Sequence, residues 1–148
     1  GSWAARHGGA TAPTAREAAL GASAVLACVG DDDDLRGVCL GVDGAFAGMD
    51  PGALFVDHTT VSARVTRELA EAAAARGLGY VDAPVSGGQR GAETGQLSIM
   101  CGGAPEDYAP AEPVLAAYAK VCRRLGEVGA GQLAKMANQI AIAGLVQA

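Results

Sequence analysis

The chain has 148 residues, half of them hydrophobic, and a net charge of −5, the size of one ordinary domain with enough apolar material for a core. Its eleven basic residues are scattered, with only Arg123 and Arg124 adjacent, and aromatics make up 4% of the chain; this argues against nucleic acid as a partner, whether held by a basic patch or stacked on aromatic rings. No apolar run is long enough to cross a bilayer and no charged-then-apolar leader opens the chain, so the reading is a cytoplasmic protein with no membrane partner.

Gly1-Ser2 reads as the remnant of a cleaved tag, and Trp3 to His7 as the tail of a helix stopped by Gly8-Gly9. Gly9 to Ala12 is expected to form a short strand. Thr14-Ala15-Arg16-Glu17 has capping-box spacing and opens an Ala-rich helix that ends at Gly21. Ser23 to Val29 (SAVLACV) is an apolar run between glycines, the pattern of a strand buried on both faces of a parallel sheet. Asp31 to Asp34 place acids at the positive end of a short helix through Leu35, Val38 and Leu40. An EF-hand loop starting at Asp31 would need Gly and Glu where Arg36 and Val42 stand. These acids would repel a pyrophosphate and are expected to point away from any nucleotide.

Ala53 to Val56 reads as a second buried strand. Asp57-His58-Thr59-Thr60 follows it, with Thr59 or Thr60 as N-cap of a helix from about Ala63 to Arg76 that Gly77 closes. A lone histidine at a strand end, His58, reads as a packed or surface residue rather than an acid or base. Gly79-Tyr80-Val81 is a third strand and runs into Asp82-Ala83-Pro84-Val85-Ser86-Gly87-Gly88. The glycine-rich stretch from Gly87 to Gly95 lacks the Gly-Lys-Ser/Thr ending of a Walker loop. Two readings stay open for it: a surface turn, or a backbone bared so that Ser86 and the N–H groups of Gly87 and Gly88 meet a carboxylate.

Leu97 to Cys101 is a fourth strand. Pro105 to Lys120 is helical, with Pro110 and Pro113 expected to split it. Val121 to Val128 is a strand, and Gly129-Ala130-Gly131 opens a helix running to the terminus. On that helix Asn138 and Gln139 share a face with Lys135, being three and four residues on. The helix is apolar enough to be buried on most sides. A lysine buried there, with no acid nearby in sequence, would have its pKa lowered and exchange a proton; otherwise it snorkels to the surface. Of the four cysteines, Cys28 and Cys101 read as small buried hydrophobes, all four as free thiols, and no histidine stands at metal-ligand spacing from them, so no metal is expected.

Strands alternating with helices give an α/β fold, a mostly parallel sheet covered on both faces. Ligands of such sheets bind beyond the carboxyl ends of the strands. Three stretches at those ends resemble signatures of the β-hydroxyacid dehydrogenase family, which includes 3-hydroxyisobutyrate dehydrogenase and tartronate semialdehyde reductase. Asp82 to Gly88 is similar to its substrate-binding signature, Gly126 to Gln139 to its catalytic signature, and Asp57-His58-Thr59-Thr60 to its cofactor-side turn. The resemblance implies the later part of a Rossmann-type doubly wound sheet over residues 1–128. Residues 129–148 would be the start of an interdomain helix leading to an all-α domain outside this chain. It implies Lys135 as general acid or base, Ser86, Gly87, Gly88, Asn138 and Gln139 on a small carboxylate substrate, and Val29, Gly30, Thr59 and Thr60 along NAD or NADP. It implies a homodimer or homotetramer formed through the missing domain, and interconversion of a 3-hydroxy acid and its semialdehyde or oxo form. The family's Gly-x-Gly-x-x-Gly loop is absent, so the isolated chain is expected to be inactive. Imine reductases of the same superfamily usually replace the lysine, and a non-catalytic scaffold member would be expected to have lost the lysine or the serine; both residues are here.

Overall fold

In the computed structural model, which describes residues 2–147, the element order is α1 (Ser2–His7), α2 (Ala15–Ala19), β1 (Ala24–Ala27), α3 (Asp32–Cys39), a 3-10 turn (Ala45–Ala47), β2 (Leu54–Asp57), α4 (Ala63–Ala74), β3 (Gly79–Asp82), β4 (Val85–Ser86), α5 (Gly88–Glu93), β5 (Leu97–Gly102), α6 (Pro105–Ala116), β6 (Ala119–Gly126) and α7 (Ala130–Gln147). Gly1, read as part of a tag remnant, and Ala148, read as the helix end, lie outside the described residues. Gly9 to Ala12 is not a strand; the four residues have no ladder partner to satisfy their backbone groups.

β1, β2 and β3 are parallel neighbours, and β6 is parallel to β5. β5 runs opposite to β3 and touches it only at Asp82↔Gly102, while β4 pairs antiparallel with β5. The sheet is thus mostly parallel, as expected, but the direction reverses after β3. β4 continues from β3 and pairs antiparallel with β5, so the chain doubles back through α5 instead of crossing over to a parallel strand.

Helices cover both faces. On one, Leu35, Cys39, Phe46, Phe55, Val65, Leu69 and Tyr80 form a core; Phe46 meets Phe55 edge-on at 5.1 Å and Phe55 stacks on Tyr80 at 5.7 Å between centroids. On the other, Ala111 and Leu115 of α6 pack on Val56, Val81, Ile99 and Cys101.

Local expectations fail in four further places. β1 is less buried than its apolar run implies, with Leu26 43% exposed and Cys28 exposed, because β1 pairs only with β2 among the described residues. Pro110 and Pro113 do not split α6, which runs unbroken through both. The prolines and the residues whose carbonyls they leave unbonded, Glu106 and Ala109, are exposed, so water can satisfy those carbonyls. The N-cap of α4 is Ser62, whose hydroxyl accepts from the Val65 N–H, not Thr59 or Thr60. And α7 is exposed over most of its length beyond Lys135, with Ile140, Leu145 and Val146 each more than two-thirds exposed; only its start packs on the sheet. No helix among the described residues is long and apolar enough to cross a membrane.

Candidate functional site

Parallel register places Ala27, Asp57 and Asp82 side by side, pairing Ala27 with Asp57 and Asp57 with Asp82. The segments leaving β1, β2 and β3 therefore emerge together at one end of the sheet. β5 meets β3 there through Gly102, and β6 ends beside it at Gly126, so α7 starts over the same spot.

On the cofactor side predicted from sequence, Thr59 is buried and its hydroxyl accepts from the Val29 N–H at 3.2 Å. Gly30 and Thr60 are exposed at the same end. Asp57, fully buried, accepts from the Thr59 N–H at 2.9 Å and from the Tyr80 hydroxyl at 3.4 Å. Burial outweighs these bonds and pushes its pKa up to about 6. His58 bonds the Ala83 carbonyl through Nδ1 at 2.7 Å and Tyr118 Oη through Nε2 at 2.8 Å. A carbonyl only accepts, so Nδ1 carries the proton and Nε2 accepts from tyrosine. Burial lowers the pKa of this neutral ring, and the residue is a packed one.

Of the acids at the start of α3, Asp31 caps the helix, Asp32 accepts from the Ser62 N–H and hydroxyl at 2.9 and 2.6 Å, and Asp33 pairs with Arg36. Asp34 departs from the expectation: its carboxylate lies beside Gly30, where a Cβ would stand 2.5 Å from Oδ2.

On the substrate side, Ser86 is half-buried and pairs with Ser98 across the ladder. Gly87 and Gly88 have φ of 130° and 61°, so the backbone alone demands glycine at both. The adjoining cleft is lined by Gly87, Arg90, Gly91, Thr94 and Gln96 and does not include Lys135.

The start of α7 is held by residues that sequence reading did not single out for the site. The buried Asp82 carboxylate accepts from the Gly129 N–H at 2.7 Å and the Gln132 N–H at 3.0 Å, capping the helix from another strand. Burial raises its pKa, and those N–H groups pull against the rise. Gln132 is fully buried; Oε1 accepts from Val61 N–H at 3.2 Å and Nε2 donates to the Thr59 carbonyl at 2.6 Å. A Cβ on Gly131 would run into the Met100 carbonyl and stand 2.7 Å from Asp82 Oδ2, so this turn lies flush on the sheet. One turn on, Lys135 is 8% exposed and its ammonium donates to Gln139 Oε1 at 3.1 Å. Among the described residues it makes no ion pair. Asn138 Oδ1 is buried with no hydrogen-bond partner. Asp57, Asp82 and Gln132 all lie within the three signature-like stretches, but the sequence offered nothing to single them out there beyond a polar residue closing or interrupting an apolar run.

The ends of β1 and β2 thus offer an exposed glycine, an apolar Val29 and a hydroxyl-bearing turn, which fits the nicotinamide half of a dinucleotide. The model of the NAD binding domain of 6-phosphogluconate dehydrogenase matches residues 2–129, and the chain belongs to that family. An oxidoreductase of uncharacterized activity from Shewanella frigidimarina is 51% identical over 145 residues, 98% of this chain and 50% of the relative. A 3-hydroxyisobutyrate dehydrogenase from Pseudomonas aeruginosa is 38% identical over 90% of this chain and 45% of its own length. Among solved structures, Mycobacterium tuberculosis 3-hydroxyisobutyrate dehydrogenase with L-serine superposes with a TM-score of 0.89 at 36% identity, covering 96% of this chain and 48% of that one. The resemblance to β-hydroxyacid dehydrogenases is borne out, and the chain spans about half the length of these relatives.

Proposed function

We propose that this chain is the substrate-side half of the NAD(P)-binding domain of an oxidoreductase that interconverts a small 3-hydroxy acid and its semialdehyde or oxo form. The observation that carries this reading is Lys135: a buried ammonium without a carboxylate partner, on a helix bolted to both the cofactor-side turn and the head of the Asp82–Gly88 loop. Burying a cation this way is costly unless a ligand supplies what the fold does not. The nicotinamide, when bound, supplies or accepts the hydride. Lys135 gives its proton to the carbonyl oxygen in reduction and takes it back from the alcohol in oxidation. Ser86 and the backbone of Gly87 and Gly88 hold the carboxylate. Asn138, whose amide oxygen lacks a partner, and Gln139, which orients the ammonium, complete the substrate side. Val29, Gly30, Thr59 and Thr60 lie along the cofactor. The exposed apolar residues of α7 beyond Lys135 suit a helix that leads into a further, all-α domain through which subunits pair.

The test is Lys135→Ala in the whole protein. Turnover is expected to fall ~10²–10⁴-fold, the usual worth of a positioned proton-transfer group, with cofactor affinity nearly unchanged. A drop in cofactor affinity matching the drop in turnover would overturn the assignment. The isolated chain is expected to bind NADH or NADPH weakly and to show no turnover; measurable turnover would contradict the half-site reading.

A further inference from the structure

We propose that Gln132 is a positioning residue that sets Lys135 against the cofactor-side turn. The inference rests on the reading of Lys135 given above and assigns a new role within it. Residue 132 is the point where three segments meet. Its side chain holds the turn after β2 through Thr59 and Val61, and its N–H holds Asp82, the first residue of the substrate loop. The path continues outward, because the hydroxyl of Thr59 accepts from Val29 at the end of β1. A continuous series of hydrogen bonds therefore runs from the cofactor side to the helix that carries the lysine.

The two side-chain bonds have opposite polarity. The Thr59 carbonyl can only accept and the Val61 N–H can only donate, so the group between them must offer one donor and one acceptor. At full burial no water replaces either. An amide meets this demand and a carboxylate does not, since it has no proton for Thr59. Lys135 follows three residues later, on the adjacent face one turn up. A tilt or rotation of the first turn of α7 is carried directly to Nζ, and reacting groups misplaced by about 1 Å lose on the order of 10²-fold in rate.

The experiment uses the whole protein, with Gln132→Glu, Lys135→Ala and the double variant compared by single-turnover kinetics across pH. Gln132→Glu keeps the length and the acceptor for Val61. It loses the donor to Thr59 while ionised and regains it when protonated, which burial favours. Gln132→Glu is expected to lower kcat ~10–100-fold at pH 8 with less than about a twofold change in substrate KM, the deficit narrowing as pH falls relative to the parent. In the Lys135→Ala background the same change should have no further effect on kcat, because Gln132 acts through the lysine. If Lys135→Ala leaves kcat intact, the lysine reading itself fails. If Lys135→Ala removes the step while Gln132→Glu lowers the residual rate by the same factor as in the parent, the lysine reading stands and Gln132 is structural only. An unchanged kcat in Gln132→Glu overturns the proposal. If that variant does not fold, Gln132→Met, which removes both bonds at similar length, is measured in its place, with the same kcat and coupling outcomes deciding.

Discussion

Asp57→Asn should stabilise the domain, but only above the acid range. The carboxylate is fully buried, and burial raises its pKa from 3.8 to about 6 despite bonds from Thr59 and Tyr80. A raised pKa means that the folded state holds the proton more tightly than the unfolded chain. The stability gained by the protonated form is therefore fully present below pH 3.8 and is lost as pH rises to about 6. Roughly two pKa units at 1.36 kcal/mol each put that loss at about 3 kcal/mol. In Asp57→Asn the amide oxygen still accepts from the Thr59 N–H, and the amide nitrogen donates to Tyr80 Oη, whose hydroxyl turns from donor to acceptor. No charge remains to be buried. The variant should exceed the parent by ~1–3 kcal/mol at pH 8, or roughly 3–9 °C in Tm for a domain of this size, with the gap closing near pH 4. His58 is common to both chains and largely cancels. Thermal denaturation followed by circular dichroism at several pH values decides it. A gap of equal size at pH 4 and pH 8, or a variant less stable at pH 8, refutes the reasoning.

Three further outcomes follow from packing and thiol chemistry. Gly131→Ala should cost ~1–3 kcal/mol or more, since its methyl group meets backbone and Asp82 rather than a flexible side chain; an unchanged denaturation midpoint would show that α7 is free to lift. Cys101 and Cys122 lie with Sγ atoms 3.4 Å apart, and Cys101 and Tyr108 hold the Cys122 thiol down while Cys39 is pushed up to about 12 by burial. Cys122 should thus alkylate well before Cys39 near pH 7, and Cys101→Ala, which removes the donor, should slow it; peptide mapping that finds equal rates would contradict the contact. His58 should carry less charge than a free histidine at any pH near 6.5, and its neutral ring should hold the proton on Nδ1, readable from its nitrogen chemical shifts; its folded pKa is depressed by burial, so its contribution is present above pH 6.5 and lost as pH falls.

The strands and most helices were legible because apolar runs and caps are local signals. What misled was local chemistry settled by distant neighbours. Pro110 and Pro113 would break a helix whose carbonyls were buried, but their side of α6 faces solvent. Thr59 looked like a cap, yet its hydroxyl takes the Val29 N–H, thirty residues away in sequence, and Ser62 caps α4. The reversal of β5 depends on the two-residue β4 pairing antiparallel with it across α5, which a glycine-rich stretch does not reveal. Lys135, Asn138 and Gln139 were visible as one helical face. The residues that hold that face in place were not, because Gln132 bonds partners 50 and 73 positions away, and no periodicity links positions so far apart.

Asp57 and Asp82 sit side by side in register, both buried, both with raised pKa, and they should nevertheless respond to amidation in opposite ways. The difference lies in what each second oxygen accepts. At Asp57 it accepts a hydroxyl, which can reverse its role. At Asp82 both oxygens accept backbone N–H groups, Gly129 on one and Gln132 on the other, and a peptide N–H cannot become an acceptor. Asp82→Asn therefore sets an amide N–H₂ against a buried N–H at the first turn of α7. An unsatisfied buried donor costs ~1–3 kcal/mol, and part of the helix-dipole attraction to the carboxylate is lost as well. Relief from burying the charge offsets some of this. The net expectation at pH 8 is a loss of about 1–2 kcal/mol, against a gain for Asp57→Asn measured in the same buffer. If both variants gain stability, charge burial rather than N–H pairing governs this end of the sheet, and the anchoring of α7 by Asp82 is refuted.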